Sequence, residues 1–255
     1  MNKLIAVSIL SGISAFCSGA MAQDFAQPGQ VVVGAERLMG LYYDHVKTTS
    51  SVGAGEMTTG TTSIGLFGTP GSVDSTNPGT LNGGPMPSST PRLALDVFVI
   101  PGLSVGTSLI YLNRSGSQDT KATVLGTTLT QTRDTPTTSS FILSPRVGYA
   151  AVLSPNFAIW PRAGITYSWY KTTAKDTNAA GATTENKISA DITDISVEVM
   201  AAIVPVPHVV LLVGPVLDIP LGGGAKSVNA GTEATDHPSV SYLSVGLTTG
   251  LAAYF

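Results

Sequence analysis

From Gln30 onward the chain alternates: apolar residues recur at every second position through eight stretches, separated by segments rich in Gly, Pro, Ser and Thr. In the fifth stretch Phe157, Ile159, Pro161, Ala163, Ile165, Tyr167 and Trp169 share one face, against Ala158, Trp160, Arg162, Gly164, Thr166 and Ser168. In the seventh, Val209, Leu211, Val213, Pro215, Leu217 and Ile219 share a face. In the eighth, Leu243, Val245, Leu247, Thr249, Leu251, Ala253 and Phe255 do, opposite Tyr242, Ser244, Gly246, Thr248, Gly250, Ala252 and Tyr254. A period of two is that of a strand, whose successive side chains point to opposite sides. The predicted strands run from Gln30 to Val46, Arg92 to Ile100, Leu103 to Asn113, Ser140 to Leu153, Phe157 to Thr172, Ile188 to Val204, Val209 to Pro220 and Val240 to Phe255. Pro145, Pro161 and Pro215 fall inside them, and each removes a ladder donor.

The connections alternate in length. Pro101-Gly102, Ser154-Pro155-Asn156 and Pro205-Val206-Pro207-His208 are tight turns with turn-forming residues. The others are long: Lys47 to Pro91, Arg114 to Ser139, Thr173 to Lys187 and Leu221 to Ser239. A water-soluble β-sandwich shows the same side-chain alternation but has no reason to alternate its loops so strictly. A membrane barrel has short periplasmic turns and longer extracellular loops.

The amino terminus points the same way. Lys3 precedes the apolar run Leu4 to Leu10, which continues weakly to Phe16, and Ala20-Met21-Ala22 is a small-residue cleavage site. Residues 1–22 read as a secretory signal and 23–255 as one mature β-barrel domain. The run is broken by Ser8, Ser11, Gly12 and Ser14 and is too short to span a bilayer. Cys17 follows the bulky Phe16, which does not suit a lipoprotein site, and it is the only cysteine in the chain, so disulfide and thiolate chemistry are not expected in the mature protein. Signal, loop asymmetry and the terminal aromatic Phe255 together predict an all-β transmembrane antiparallel up-and-down barrel of about eight strands, exported to the bacterial outer membrane.

Composition agrees. Charged residues are 11% and hydrophobic residues 43%, with 28 glycines and 16 prolines. After the signal no apolar run is long enough for a membrane helix. The net charge is −3, and without a basic stripe no nucleic-acid partner is expected. Carrying the pleat around the barrel puts Glu36, Arg92, Asp96, Arg146, Arg162, Glu198 and Asp218 on the interior face, where three arginines and four carboxylates would pair as a plug. Arg37 is expected outward, near the interface. Interior placement is energetically required, because Arg at the lipid midplane costs about 2–4 kcal/mol.

The chain resembles the small eight-stranded outer-membrane barrels, the group of the OmpA transmembrane domain, OmpX and OmpW, on strand count, loop alternation and its last segment, Thr248 to Phe255. Within that segment Thr248, Gly250, Ala253 and Phe255 are similar to the signal read by the barrel-assembly machinery. Ala253 is small where a larger apolar residue is common. The resemblance implies outer-membrane lipid, the assembly machinery and periplasmic chaperones as partners.

Other chemistry is sparse. His237-Pro238-Ser239 with Glu233 or Asp236 is the nearest approach to a Ser–His arrangement, and it reads as a loop histidine before a strand. His45 and His208 are placed at opposite ends of the barrel and cannot join it in a metal site. Glu56, Asp74, Asp119 and Asp176 are dispersed and read as solvated. The first long loop has one apolar island, Ile64 to Gly68, which reads as an anchoring cluster, with a lid or docking surface as the alternative. The expectation is a non-enzymatic barrel without cofactor, plugged by charge and acting structurally or at the cell surface. A narrow channel for small or hydrophobic molecules is the alternative, followed by a lipid A-modifying enzyme.

Overall fold

A computed structural model describes residues 25–52, 55–66, 90–124, 127–177, 183–229, 232–233 and 238–255. The predicted signal, Cys17, Asp74, Phe67, Gly68, Asp236 and His237 lie outside them.

The eight strands are β1 Val31–Val52, β2 Arg92–Ile100, β3 Leu103–Val124, β4 Thr127–Tyr149, β5 Phe157–Thr177, β6 Thr183–Val206, β7 Val209–Asn229 and β8 Ser239–Tyr254. Each pairs antiparallel with its neighbours in sequence, and β1 pairs with β8, so the sheet closes. Closure runs from Val32 opposite Tyr254 to Thr49 opposite Ser239. Phe255 lies beyond the last strand, yet it exchanges both backbone hydrogen bonds with Val31, at 3.0 and 3.1 Å. Along the inner part of the belt every strand is thus paired on both sides, as lipid requires.

Most strands outrun their sequence limits. β3 and β4 continue as a hairpin to Val124 and Thr127, and β5 to β7 reach well into the Ser/Thr-rich links. An additional strand, Gly55–Leu66, pairs with the outer half of β1, from Leu41 opposite Leu66 to Val52 opposite Gly55. β2 covers only the inner part of β1, Val31 to Glu36. The described parts of the long links are thus largely β-structure standing above the membrane. Low apolar content hid them, because no lipid selects alternation there. The predicted fourth strand is interrupted at Ala150 and resumes as Ala151–Ser154. The last short turn narrows to Pro207-His208, with His208 at φ 68°.

Outward residues are apolar and exposed: Leu93 (69%), Ile165 (52%) and Leu247 (52%) typify the belt. At its outer rim Tyr111, Phe141 and Trp169 stand side by side on β3, β4 and β5. Aromatic side chains favour that boundary, where apolar ring and polar edge are both satisfied. The strand prolines face out and each interrupts a single ladder. Pro145 pairs with Thr107 but has no β5 partner, Pro215 pairs with Leu247 but has no β6 partner, and Pro161 pairs with Val199 but has no β4 partner. Each missing donor opens a gap of about two pairs in one ladder, which resumes beyond it in the same register.

Candidate functional site

The lumen is filled, in layers. At the periplasmic end the segment before β1 folds into the mouth. Phe25, 2% exposed, packs edge-on against Phe98, Trp160 and Tyr254 with centroids 5.4, 5.7 and 5.5 Å away. The segment is tied down by Gly102 N–H donating to Ala26 O and Gly29 N–H to Phe98 O. Val32, Met200, Val210 and Leu212 complete this apolar stopper.

Above it lies a buried ion-pair network. Arg146 donates to both oxygens of Glu36, at 2.5 and 2.9 Å, and to both of Asp96, at 3.1 and 2.5 Å. Arg162 bridges Glu36 and Glu198, the latter at 2.7 Å, and its guanidinium lies 4.9 Å from the Trp160 ring centre. Trp160 in turn donates to Ser104 Oγ at 3.1 Å, fixing the indole between stopper and network. Arg92 is buried beside them on β2, in register with Glu36. β3 makes room: a Cβ on Gly106 would fall on the Asp96 carboxylate.

Arg37 corrects the sequence expectation. It points into the lumen, 1% exposed, and donates to Asp218 at 2.8 and 3.1 Å and to Glu198 at 3.0 Å. The cause is a bulge. Ala35 faces Leu251 and Met39 faces Thr249, so β1 carries two residues more than β8 between these pairs. Glu36 and Arg37 then both turn inward while Leu38 and Met39 both face lipid. Arg37 adopts φ 54°, a left-handed backbone that costs a non-glycine residue about 1–2 kcal/mol. Charge-assisted hydrogen bonds to two carboxylates offset that cost.

Two inward acids were missed. Asp44 accepts from Tyr242 O–H at 2.7 Å. Asp194 shares the β6 face of Ser196 and Glu198, so the pleat rule reaches it. It is fully buried and neither carboxylate oxygen has a hydrogen-bond partner. Three of the neighbouring hydroxyls are committed elsewhere. Ser196 gives its proton to Asp218 at 2.5 Å, so Thr166 must donate to Ser196 (2.7 Å) and Ser144 to Thr166 (2.8 Å). Each hydroxyl has one proton to give, and none of these three is left for Asp194.

The remaining candidates are scattered. Thr248 Oγ accepts from Tyr42 O–H at 2.8 Å, Gly250 is closely packed, and Ala253 and Phe255 face outward. His208 stacks on Phe255 and lies tilted against the Tyr254 ring at the periplasmic rim, its Nδ1–H donating to Tyr254 O at 2.9 Å. His45 contacts Thr62 Oγ1 at 3.0 Å on the outer extension. Ser239 is exposed at the start of β8. Among the described residues no group of three His, Cys, Asp or Glu side chains is placed to hold a metal.

A closed antiparallel ring of eight strands, apolar outside and polar inside, defines the class: the chain has the fold of the small outer-membrane β-barrels. No protein-family model and no curated protein matches it. Among solved structures it is similar to the outer-membrane protein OprG from Pseudomonas aeruginosa, with 7% identity, 90% of this chain and 97% of that one covered, and TM-score 0.48. The outer-membrane protease OmpT from Escherichia coli gives 12%, 89%, 97% and 0.44. A major outer-membrane protein from Thermus thermophilus gives 14%, 84%, 99% and 0.43.

Proposed function

We propose that this protein is a non-enzymatic outer-membrane barrel with a closed lumen, whose role is to hold extended β-hairpins at the cell surface. The observation that carries this reading is the double obstruction of the interior. The aromatic stopper around Phe25 blocks the periplasmic mouth, and the Arg–carboxylate network crosses the lumen above it. Charges held by several partners do not swing aside for a passing solute without leaving a buried charge unpaired, which costs about 3–5 kcal/mol. The strands that outlast the belt supply the surface element, a rigid platform on which loops carry recognition.

Reconstitution in planar bilayers tests this. The expected result is no stepwise conductance beyond the lipid baseline. Discrete, reproducible channel steps from the purified barrel would replace this reading with the narrow-channel one.

A further inference from the structure

The lysines of the chain are distributed unevenly. After the predicted cleavage site there are six, Lys47, Lys121, Lys171, Lys175, Lys187 and Lys226, and all stand on the outer side of the apolar belt. The turns Pro101-Gly102, Ser154-Pro155-Asn156 and Pro207-His208 have none.

Three of them converge. Register sets Lys171 on β5 opposite Ser189 on β6, and Ser189 opposite Lys226 on β7. Partners opposite one another share a face, and Lys171 has the outward parity of Ile165, Tyr167 and Trp169. Lys187 lies on the same face two residues along β6 from Ser189. Lys171 and Lys226 are therefore two strand spacings apart, about 10 Å, with Lys187 between them and about 7 Å further from the belt. The acidic groups that register places on this face are Asp191, opposite Trp169; Glu185, opposite Lys175 and with its Oε2 3.0 Å from Lys187 Nζ; and Glu233, opposite Val228, which is itself opposite Lys187.

The row beneath fixes the depth. Tyr111, Phe141 and Trp169 end the apolar belt, and one pleat step outward the row becomes Asn113, Ser139, Lys171, Ser189 and Lys226. The change from rings to hydrogen-bond donors marks where acyl chains give way to headgroups. A lysine triangle at that height faces the headgroups sideways, from the wall of the barrel.

Building on the membrane reading above, we infer that Lys171, Lys187 and Lys226 form a binding site for a phosphorylated lipid headgroup of the outer leaflet. The three ammonium groups bracket the phosphates, the Ser189 hydroxyl lies within the triangle, and the aromatic row packs against the upper acyl chain. The protein carries net negative charge, so this attraction is local to the patch.

The test uses the full barrel in phosphatidylcholine nanodiscs containing a small fraction of bis-phosphorylated lipid A, with retained lipid A counted by native mass spectrometry. A lysine near an anionic membrane surface is worth about fivefold in binding, so the variant with Lys171→Gln, Lys187→Gln and Lys226→Gln is expected to retain at least about tenfold less. The Lys47→Gln/Lys121→Gln variant is expected to match the wild type. Dephosphorylated lipid A should not be retained, and inorganic phosphate should not displace the lipid; displacement by phosphate would make this a free-phosphate site and overturn the lipid assignment. Equal retention by the wild type and the triple variant overturns the proposal. Heat-modifiable mobility reports insertion separately. A barrel that inserts but shows no preference sinks only the lysine site, whereas failure to insert sinks the membrane reading and the site with it.

Discussion

Replacing Arg37 separates two accounts of the barrel. Were Arg37 at the lipid interface, Arg37→Ala would be neutral or slightly stabilising, since charge near the boundary costs only about 0–1 kcal/mol. In the lumen it makes two hydrogen bonds to Asp218 and one to Glu198. Glu198 keeps Arg162 after the substitution, but Asp218, with 0% exposure, loses both hydrogen bonds from the Arg37 guanidinium and keeps that from the Ser196 hydroxyl. Losing one partner of a buried ion pair costs about 3–5 kcal/mol. Relief of the φ 54° backbone strain is small, because alanine is strained there too. The expected loss is therefore about 3 kcal/mol or more, over a hundredfold in the folding equilibrium. Arg37→Ala/Asp218→Asn should recover part of it, since the orphaned charge is gone. The assay is reversible denaturant unfolding in lipid vesicles, followed by heat-modifiable mobility and by the fluorescence of Trp160, which lies against the network. A single variant within about 0.5 kcal/mol of wild type, the scatter of neutral surface changes, would refute the dry, paired lumen.

Asp194→Asn is expected to leave the barrel as stable as wild type or to stabilise it by about 1 kcal/mol or more, because it replaces a buried carboxylate neither oxygen of which accepts a hydrogen bond; a loss above about 1 kcal/mol in the same assay would show that the carboxylate has a partner. Phe255→Asp should change the stability of the refolded barrel by no more than about 1 kcal/mol, since the side chain lies near the interface and the backbone bonds to Val31 remain. Its level of heat-modifiable barrel in cells should nonetheless fall sharply if the terminal residue is read during assembly, and normal levels would remove Phe255 from that role.

The alternation that lipid imposes made β2, β5, β7 and β8 legible through the belt, because every second residue there answers to the same solvent. Above the belt both faces of the sheet are polar and the period carries no hydrophobic signal. The outer halves of β3, β4 and β6 therefore read as Ser/Thr loops, although Thr is a good strand residue. The pleat rule also carried the inward acids as far as it was applied, and Asp194 was available to it two residues before Ser196. Arg37 was a different kind of miss. Strict parity sends an odd-numbered residue next to Glu36 outward, and Arg37-Leu38-Met39 contains no proline and no glycine at the site of the irregularity to announce a bulge. Arg37 nevertheless follows Glu36 directly in a strand that must keep both charges out of hydrocarbon. Two charged neighbours in one membrane strand cannot both be inward on a regular pleat. Either one meets lipid or the pleat breaks, and the three hydrogen bonds from Arg37 to Asp218 and Glu198 make breaking it the cheaper choice. Adjacent charges within a predicted membrane strand are therefore themselves a bulge signal, and one that can be read before any coordinates exist.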